Sequence, residues 1–175
     1  FTNKGVYTAP VVITRIEDKS GNVLEEFVPN THEVMNEQTA YTMLNLMESV
    51  VNSGSGRRLR FRYKLEHPIA GKTGTTQNQS DGWFIGHTPD LVTSVWVGCE
   101  DRAAHFRTIV EGQGASMALP IFGLYMQQVY ADKDINISTG QFERPEGELS
   151  VELDCNKYDK QNSNTQGGRY DPGFE

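Results

Sequence analysis

The chain has 175 residues, a net charge of −7 and 37% apolar residues, enough to bury one substantial core. An acidic balance of mixed signs argues against a nucleic-acid partner, because binding a phosphate backbone calls for a basic surface. No apolar run approaches the roughly 18 residues of a membrane span, and no signal segment is present. Cys99 and Cys155 have no metal-ligand spacing. They are a disulfide if the compartment oxidises them, or two unrelated thiols. Cys99 follows a strand and Cys155 lies in a polar tail, which favours two unpaired thiols.

Residues 1–7 begin abruptly on Phe1 without a start methionine, so the chain reads as an excerpt. The run 11–17 is β-branched and alternating, 18–22 carries turn chemistry and 23–28 extends again, which predicts a hairpin. At its tip, Gly21 and Asn22 are expected to supply positive backbone dihedrals. From Asn36 the period changes: Ala40, Met43, Leu44, Met47, Val50 and Val51 recur at spacings of three and four. This predicts an amphipathic core helix, with Asn36 as its N-cap and Gly54 as its stop. Met43 and Met47 are read as packing against a sheet and not as a ligand groove.

Arg57, Arg58, Arg60, Arg62 and Lys64 interleave with Leu59, Phe61, Tyr63 and Leu65, a period of two that predicts an extended, charged segment. Such charge either protects a sheet edge from aggregation or attracts an anionic substrate. His67-Pro68 then leads into Ala70-Gly71-Lys72-Thr73-Gly74-Thr75-Thr76. Extended backbone there puts Lys72 and Gly74 on one side and Thr73 and Thr75 on the other. Gly71-Lys72-Thr73 matches the end of a phosphate-binding loop, but that motif needs a glycine where this chain has Glu66, and a helix afterwards. Two readings remain: an ordinary glycine-containing strand, or the Lys-Thr-Gly element of serine acyltransferases.

Residues 76–80 make a turn, and 82–87 and 91–97 are strands joined around Thr88-Pro89-Asp90. With 69–76 they predict three consecutive antiparallel strands, the Lys72 strand outermost, beside the Trp83 strand, and the Trp96 strand further in. Trp83 and Trp96 lie within alternating apolar runs and are expected in the core. Residues 100–110 read as a loop with His105 on the surface, followed by a helix over 116–131 that has Pro120 near its first turn. Beyond Asp132 the composition turns polar. There 151–155 is a candidate short strand, 162–168 is expected to be disordered, and no internal repeat appears.

Lys72-Thr73-Gly74-Thr75-Thr76, Asp81-Gly82-Trp83-Phe84-Ile85-Gly86-His87-Thr88-Pro89-Asp90-Leu91 and Val95-Trp96-Val97-Gly98 together resemble the transpeptidase domain of class A penicillin-binding proteins, the 1A type in particular. The likeness runs from about Phe1 to Asp132. It implies an α+β fold, with an antiparallel sheet of about three main strands plus a hairpin and flanking helices, part of the serine β-lactamase-like transpeptidase fold. Residues 1–132 would be the C-terminal part of that domain, and 133–175 an extended or partly disordered tail.

In the family a serine is acylated by a cell-wall stem peptide with loss of a terminal D-alanine, and an amine of a neighbouring stem then takes the acyl group. The resemblance implies that Lys72, Thr73, Gly74 and Thr75 bind substrate. Lys72 would attract the substrate carboxylate and favour proton transfer. Thr73 and Thr75 would offer hydroxyls, and the Thr75 N–H one oxyanion-hole donor. Stem peptides and β-lactams are the implied ligands, and no metal or organic cofactor is implied. The implied location is the extracytoplasmic face of the cytoplasmic membrane, reached through an anchor upstream.

Two family elements are missing. No serine is followed three residues later by lysine, and the only Ser-x-Asn, Ser20-Gly21-Asn22, sits at the predicted hairpin tip. The chain therefore supplies the Lys-Thr-Gly strand and lacks the nucleophile, so by itself it is expected to be inactive. It is also expected to leave the edge beside the Trp96 strand open, since in the family upstream residues supply the next strands. A serine β-lactamase shares Lys-Thr-Gly but not the strands after Thr76. A different reading is a non-catalytic module that holds cell-wall peptide on the Lys72 edge.

Overall fold

The computed structural model describes residues 1–154 and Lys157. Two small antiparallel pairs come first. Strand β1 (Val6–Thr8) pairs with β4 (Thr31–Glu33), a pairing the sequence pattern does not show, and between them β2 (Arg15–Glu17) and β3 (Val23–Glu26) form the expected hairpin. At its tip the Asp18 carboxylate accepts the backbone N–H groups of Ser20 and Asn22 at 2.8 and 2.9 Å. Gly21 takes a φ of +83° there. Asn22 keeps a negative φ, contrary to expectation, and instead donates its side-chain amide to Asp18. Ser20 and Asn22 are thus consumed by the turn.

Helix α1 (Glu37–Asn52) starts where the pattern predicts, with the Asn36 carboxamide accepting the Thr39 N–H at 2.8 Å. Ala40, Leu44, Met47 and Val51 form its buried stripe. The chain leaves it through Ser53, and the N–H groups of Gly54 and Gly56 both return to the Val50 carbonyl at 3.0 Å. The next segment is a correction: Arg58–Phe61 is a short helix, α2, and not an extended strand. Leu59 and Tyr63 are both buried at a helical spacing of four, and the helical stretch ends as Lys64 takes a φ of +55°.

Strands β5 (Ala70–Thr75), β6 (Asp81–His87) and β7 (Val92–Gly98) form one antiparallel sheet in the order β5-β6-β7, as predicted. After a short helix α3 (Ile109–Gly112), within the stretch expected to be loop or immediately after it, α4 (Gly114–Ala131) lies across one face of the sheet. Its Phe122 ring meets Phe84 with centroids 4.8 Å apart, and Val51, Leu59, Ile69 and Met126 complete the core between α1, α2, α4 and the sheet. Pro120 falls in the second turn of α4, because the helix starts earlier than its apolar pattern shows.

The tryptophans are a second correction. Trp83 and Trp96 are 40% and 47% exposed, on the face opposite α4, with Ile85 and Val92 beside them. Alternation shows that a strand has two faces; it does not say which one a helix covers, and here α4 covers the Phe84 face.

Residues 133–154 carry no helix or strand, yet they return to the body. Phe142 is buried with Leu44, Met47 and Ala70, and the Ser138 N–H donates to the Asp90 carboxylate at 2.6 Å. Residues 151–154 are not a strand. Cys99 is an exposed free thiol. Cys155 and the expected disorder at 162–168 lie outside the described residues. No helix among the described residues is long and apolar enough to cross a membrane.

Candidate functional site

Strand β5 is the outer strand of its sheet, paired with β6 on one side only. The register sets Lys72 opposite Ile85, Thr73 opposite Phe84, Gly74 opposite Trp83 and Thr75 opposite Gly82. Cross-strand partners share a face, so Lys72 and Gly74 lie with the exposed Trp83 and Ile85, while Thr73 and Thr75 lie on the α4 side. Lys72 and Thr75 are exposed, and Thr73 and Gly74 are half-buried.

Backbone direction follows from one hydrogen bond. The Thr76 N–H donates to the Asp81 carbonyl at 3.0 Å, toward β6. N–H and C=O groups of successive strand residues alternate in direction, so those of Thr73 and Thr75 point away from β6, to the unpaired edge. The Lys72 ammonium agrees with this: its Nζ donates to the Thr73 carbonyl at 2.8 Å. Among the described residues Lys72 makes no hydrogen bond to a serine.

Each threonine hydroxyl is held from a neighbouring element. Thr75 Oγ1 accepts the N–H of Gly114, the first residue of α4, at 3.0 Å. Gly114 must be glycine, since a Cβ there would collide with the Gly74 and Trp83 carbonyls. Thr73 Oγ1 lies 2.8 Å from Ser55 Oγ in the loop after α1. Sequence reasoning missed Ser55, because only the tertiary fold brings the end of α1 beside β5.

The turn after β5 is pinned to β6. Thr76 Oγ1 accepts the Asp81 N–H at 2.9 Å and lies 3.0 Å from Ser80 Oγ. Asn78 and Gln79 hold positive φ of 62° and 52° inside this short 3-10 turn, and the Phe106 N–H closes onto the Gln79 carbonyl at 3.2 Å. Asp81 also receives the Trp96 indole N–H at 3.2 Å, which fixes that ring on the exposed face. His105 is on the surface, as expected. Below β5, Arg60 donates to the Leu65 and His67 carbonyls at 2.6 Å each and to Asn52. It ties the end of α1 to the segment that enters β5. Its guanidinium is held somewhat below its ordinary range by burial, against the opposing pull of Glu48.

The arrangement can bind an extended chain along an edge with outward N–H donors, a cation on one face and two hydroxyls on the other. Residues 1–122 match the family model described as the penicillin-binding protein transpeptidase domain. The chain is 36% identical over 140 residues to penicillin-binding protein 1A of Aquifex aeolicus, covering 78% of this chain and 18% of that protein. It therefore spans less than a fifth of the length of that relative. The fold is similar to the crystal structure of penicillin-binding protein 1A from Haemophilus influenzae, with a TM-score of 0.65 at 21% identity over 86% of this chain and 26% of that one. It is also similar to penicillin-binding protein A from M. tuberculosis, solved as an imipenem acyl-enzyme complex, with a TM-score of 0.54 at 19% identity over 72% of this chain and 28% of that one. The likeness foreseen from Lys72-Thr73-Gly74 and the two strands after it thus extends to sequence and fold alike, and the chain belongs to the penicillin-binding protein transpeptidase family.

Proposed function

We propose that this chain is one wall of the active site of a peptidoglycan D,D-transpeptidase that cross-links stem peptides by serine acyl transfer. The outward Thr75 N–H at the unpaired edge of β5 is the observation that carries the reading. A donor held by a rigid strand costs no reorganisation when charge develops on a carbonyl oxygen, and one such donor is worth roughly 2.7 to 4 kcal/mol to an acyl-transfer transition state. Lys72 draws the substrate carboxylate and supports proton transfer from the nucleophile. Thr73 and Thr75 offer their hydroxyls to that carboxylate, and Gly74 leaves room for the substrate backbone.

The nucleophilic serine, its lysine and the second oxyanion donor come from residues outside this chain, in the full-length protein. On this reading residues 1–132 are the C-terminal part of the transpeptidase domain and 133–175 its tail. The full-length protein works at the extracytoplasmic face of the membrane, and its ligands are stem peptides and β-lactams. No Ser-x-x-Lys occurs in the 175 residues, which favours a second reading, a module that only holds peptide on the β5 edge. Labelled penicillin separates the two in the full-length protein. Label that survives denaturation supports the enzyme, whereas reversible peptide binding without covalent capture supports the module.

A further inference from the structure

Residues 133–154 lie beyond the stretch that matches the family model, and all of them but Phe142 and Pro145 are at least partly exposed. Their path across the body is nevertheless fixed in three places. The Ser138 N–H donates to the Asp90 carboxylate, in the turn between β6 and β7, at 2.6 Å. Phe142 is then buried in one cluster with Leu44 and Met47 of α1 and with Ala70, the first residue of β5. Beside it, the Lys4 ammonium spans Glu143 at 2.8 Å and Glu37, at the start of α1, at 3.3 Å. The Gln38 amide donates to the Glu146 carbonyl at 3.4 Å.

Ala70 is the informative partner. Residues two apart on a strand share a face, so this cluster covers the face of β5 on which Lys72 follows. Ala70 offers only a methyl group and is fully buried, so larger side chains fill that corner. The far end of α1 also reaches β5, where Ser55 Oγ lies 2.8 Å from Thr73 Oγ1. Helix α1 therefore backs β5 from Ala70 to Thr73, and β6 is the one strand that pairs with β5. The position of the strand depends on how firmly α1 is held against it.

We propose that residues 138–146 are a strap that positions the substrate strand, with Phe142 as its positioning residue. The ring closes the cluster between α1 and β5, and so fixes where Lys72 and the Thr75 N–H stand. Ser138, Glu143 and Glu146 are its tethers. A segment of this polar composition stays solvated unless a buried side chain anchors it. The proposal rests on the reading of β5 as the substrate edge, and Phe142 acts through that strand and not on the substrate.

The test uses the full-length protein and benzylpenicillin. Phe142→Ala empties part of the cluster and should lower the second-order acylation rate roughly tenfold, because small displacements of binding groups are costly to a reaction. Phe142→Leu refills most of the space and should stay within about threefold of wild type. Val129→Ala, a core change on α4, controls for lost stability and should leave the rate within about twofold. Glu143→Lys, an exposed change that sets like charges together at Lys4, should slow acylation about two- to fivefold. If Phe142→Ala does not fold, Glu143→Lys decides, and an unchanged rate there overturns the strap. Hydrogen exchange reads the same effect without penicillin: Phe142→Ala should lower amide protection in α1 and β5 while β7 keeps its own. A wild-type rate in Phe142→Ala, an equal loss in Val129→Ala, or protection lost evenly across β5, β6 and β7 would each overturn the strap while leaving the proposed function standing. A wild-type protein that penicillin does not acylate removes the proposed function and the part of Phe142 in it.

Discussion

Thr75 does two things with two different atoms. Its side-chain oxygen anchors α4 through the Gly114 N–H, and its backbone N–H faces outward. The two separate by substitution in the full-length protein. Thr75→Pro removes the donor and should cut penicillin acylation roughly a hundred- to a thousandfold, whereas Thr75→Ser keeps both atoms and should cost far less. Equal losses would assign the effect to side-chain shape. Two other residues test the packing around the sheet. A Cβ at Gly86 would fall inside the Phe122 ring, so Gly86→Ala should lower the stability of the chain by about 1–3 kcal/mol in urea unfolding. His87 is half-buried, its Nδ1 accepts no protein hydrogen bond, and burial pushes its imidazole below the ordinary range. The folded state therefore binds this proton less readily than the unfolded state. His87 leaves stability undiminished above the unfolded value of about 6.5, and stability falls as pH drops from there through the lowered folded value. Urea midpoints compared at neutral and mildly acidic pH should show that loss, and His87→Gln should flatten it.

Among the elements, the approach to β5 depends on Arg60, which gathers Asn52, Leu65 and His67 around one guanidinium. Arg60→Met leaves those carbonyls without their donor and should cost roughly 1–3 kcal/mol in urea unfolding. In the full-length protein it should also slow acylation, since the entry to the Lys72 strand loosens. An unchanged acylation rate would show that β6 alone holds β5 in place. These elements differ in how far the sequence reveals them. Strands β5, β6 and β7 and helix α1 are legible because their periods run for several residues between strong turn or cap signals, such as Asn36 and Thr88-Pro89-Asp90. Helix α2 is not, because polar and apolar residues alternate across a helical turn and the turn that follows it, and the alternation imitates a strand. The β1–β4 pair joins two three-residue strands whose register puts Val6 against Glu33, too short and too far apart for any local pattern. At the site, Lys72, Thr73, Gly74 and Thr75 announce themselves by composition. Ser55 depends on where the end of α1 lands, which no spacing encodes.

At the scale of the whole chain, two surfaces besides the outer edge of β5 have no partner among the described residues: the far edge of β7, and the face bearing Trp83, Ile85, Val92 and Trp96. An open sheet edge beside exposed tryptophans recruits other chains. The isolated 175 residues should therefore self-associate in light scattering, and a clean monomer at high concentration would mean that another segment covers the edge. We propose that this chain is one wall of a penicillin-acylated site whose nucleophile lies elsewhere. Intact mass and peptide mapping after incubation with benzylpenicillin test it most directly, on the full-length protein and on the isolated chain in parallel. One covalent adduct is expected on the full-length protein, at a serine outside these 175 residues, and none on the isolated chain. A stable adduct on any serine within the chain, or no adduct on the full-length protein, would contradict it.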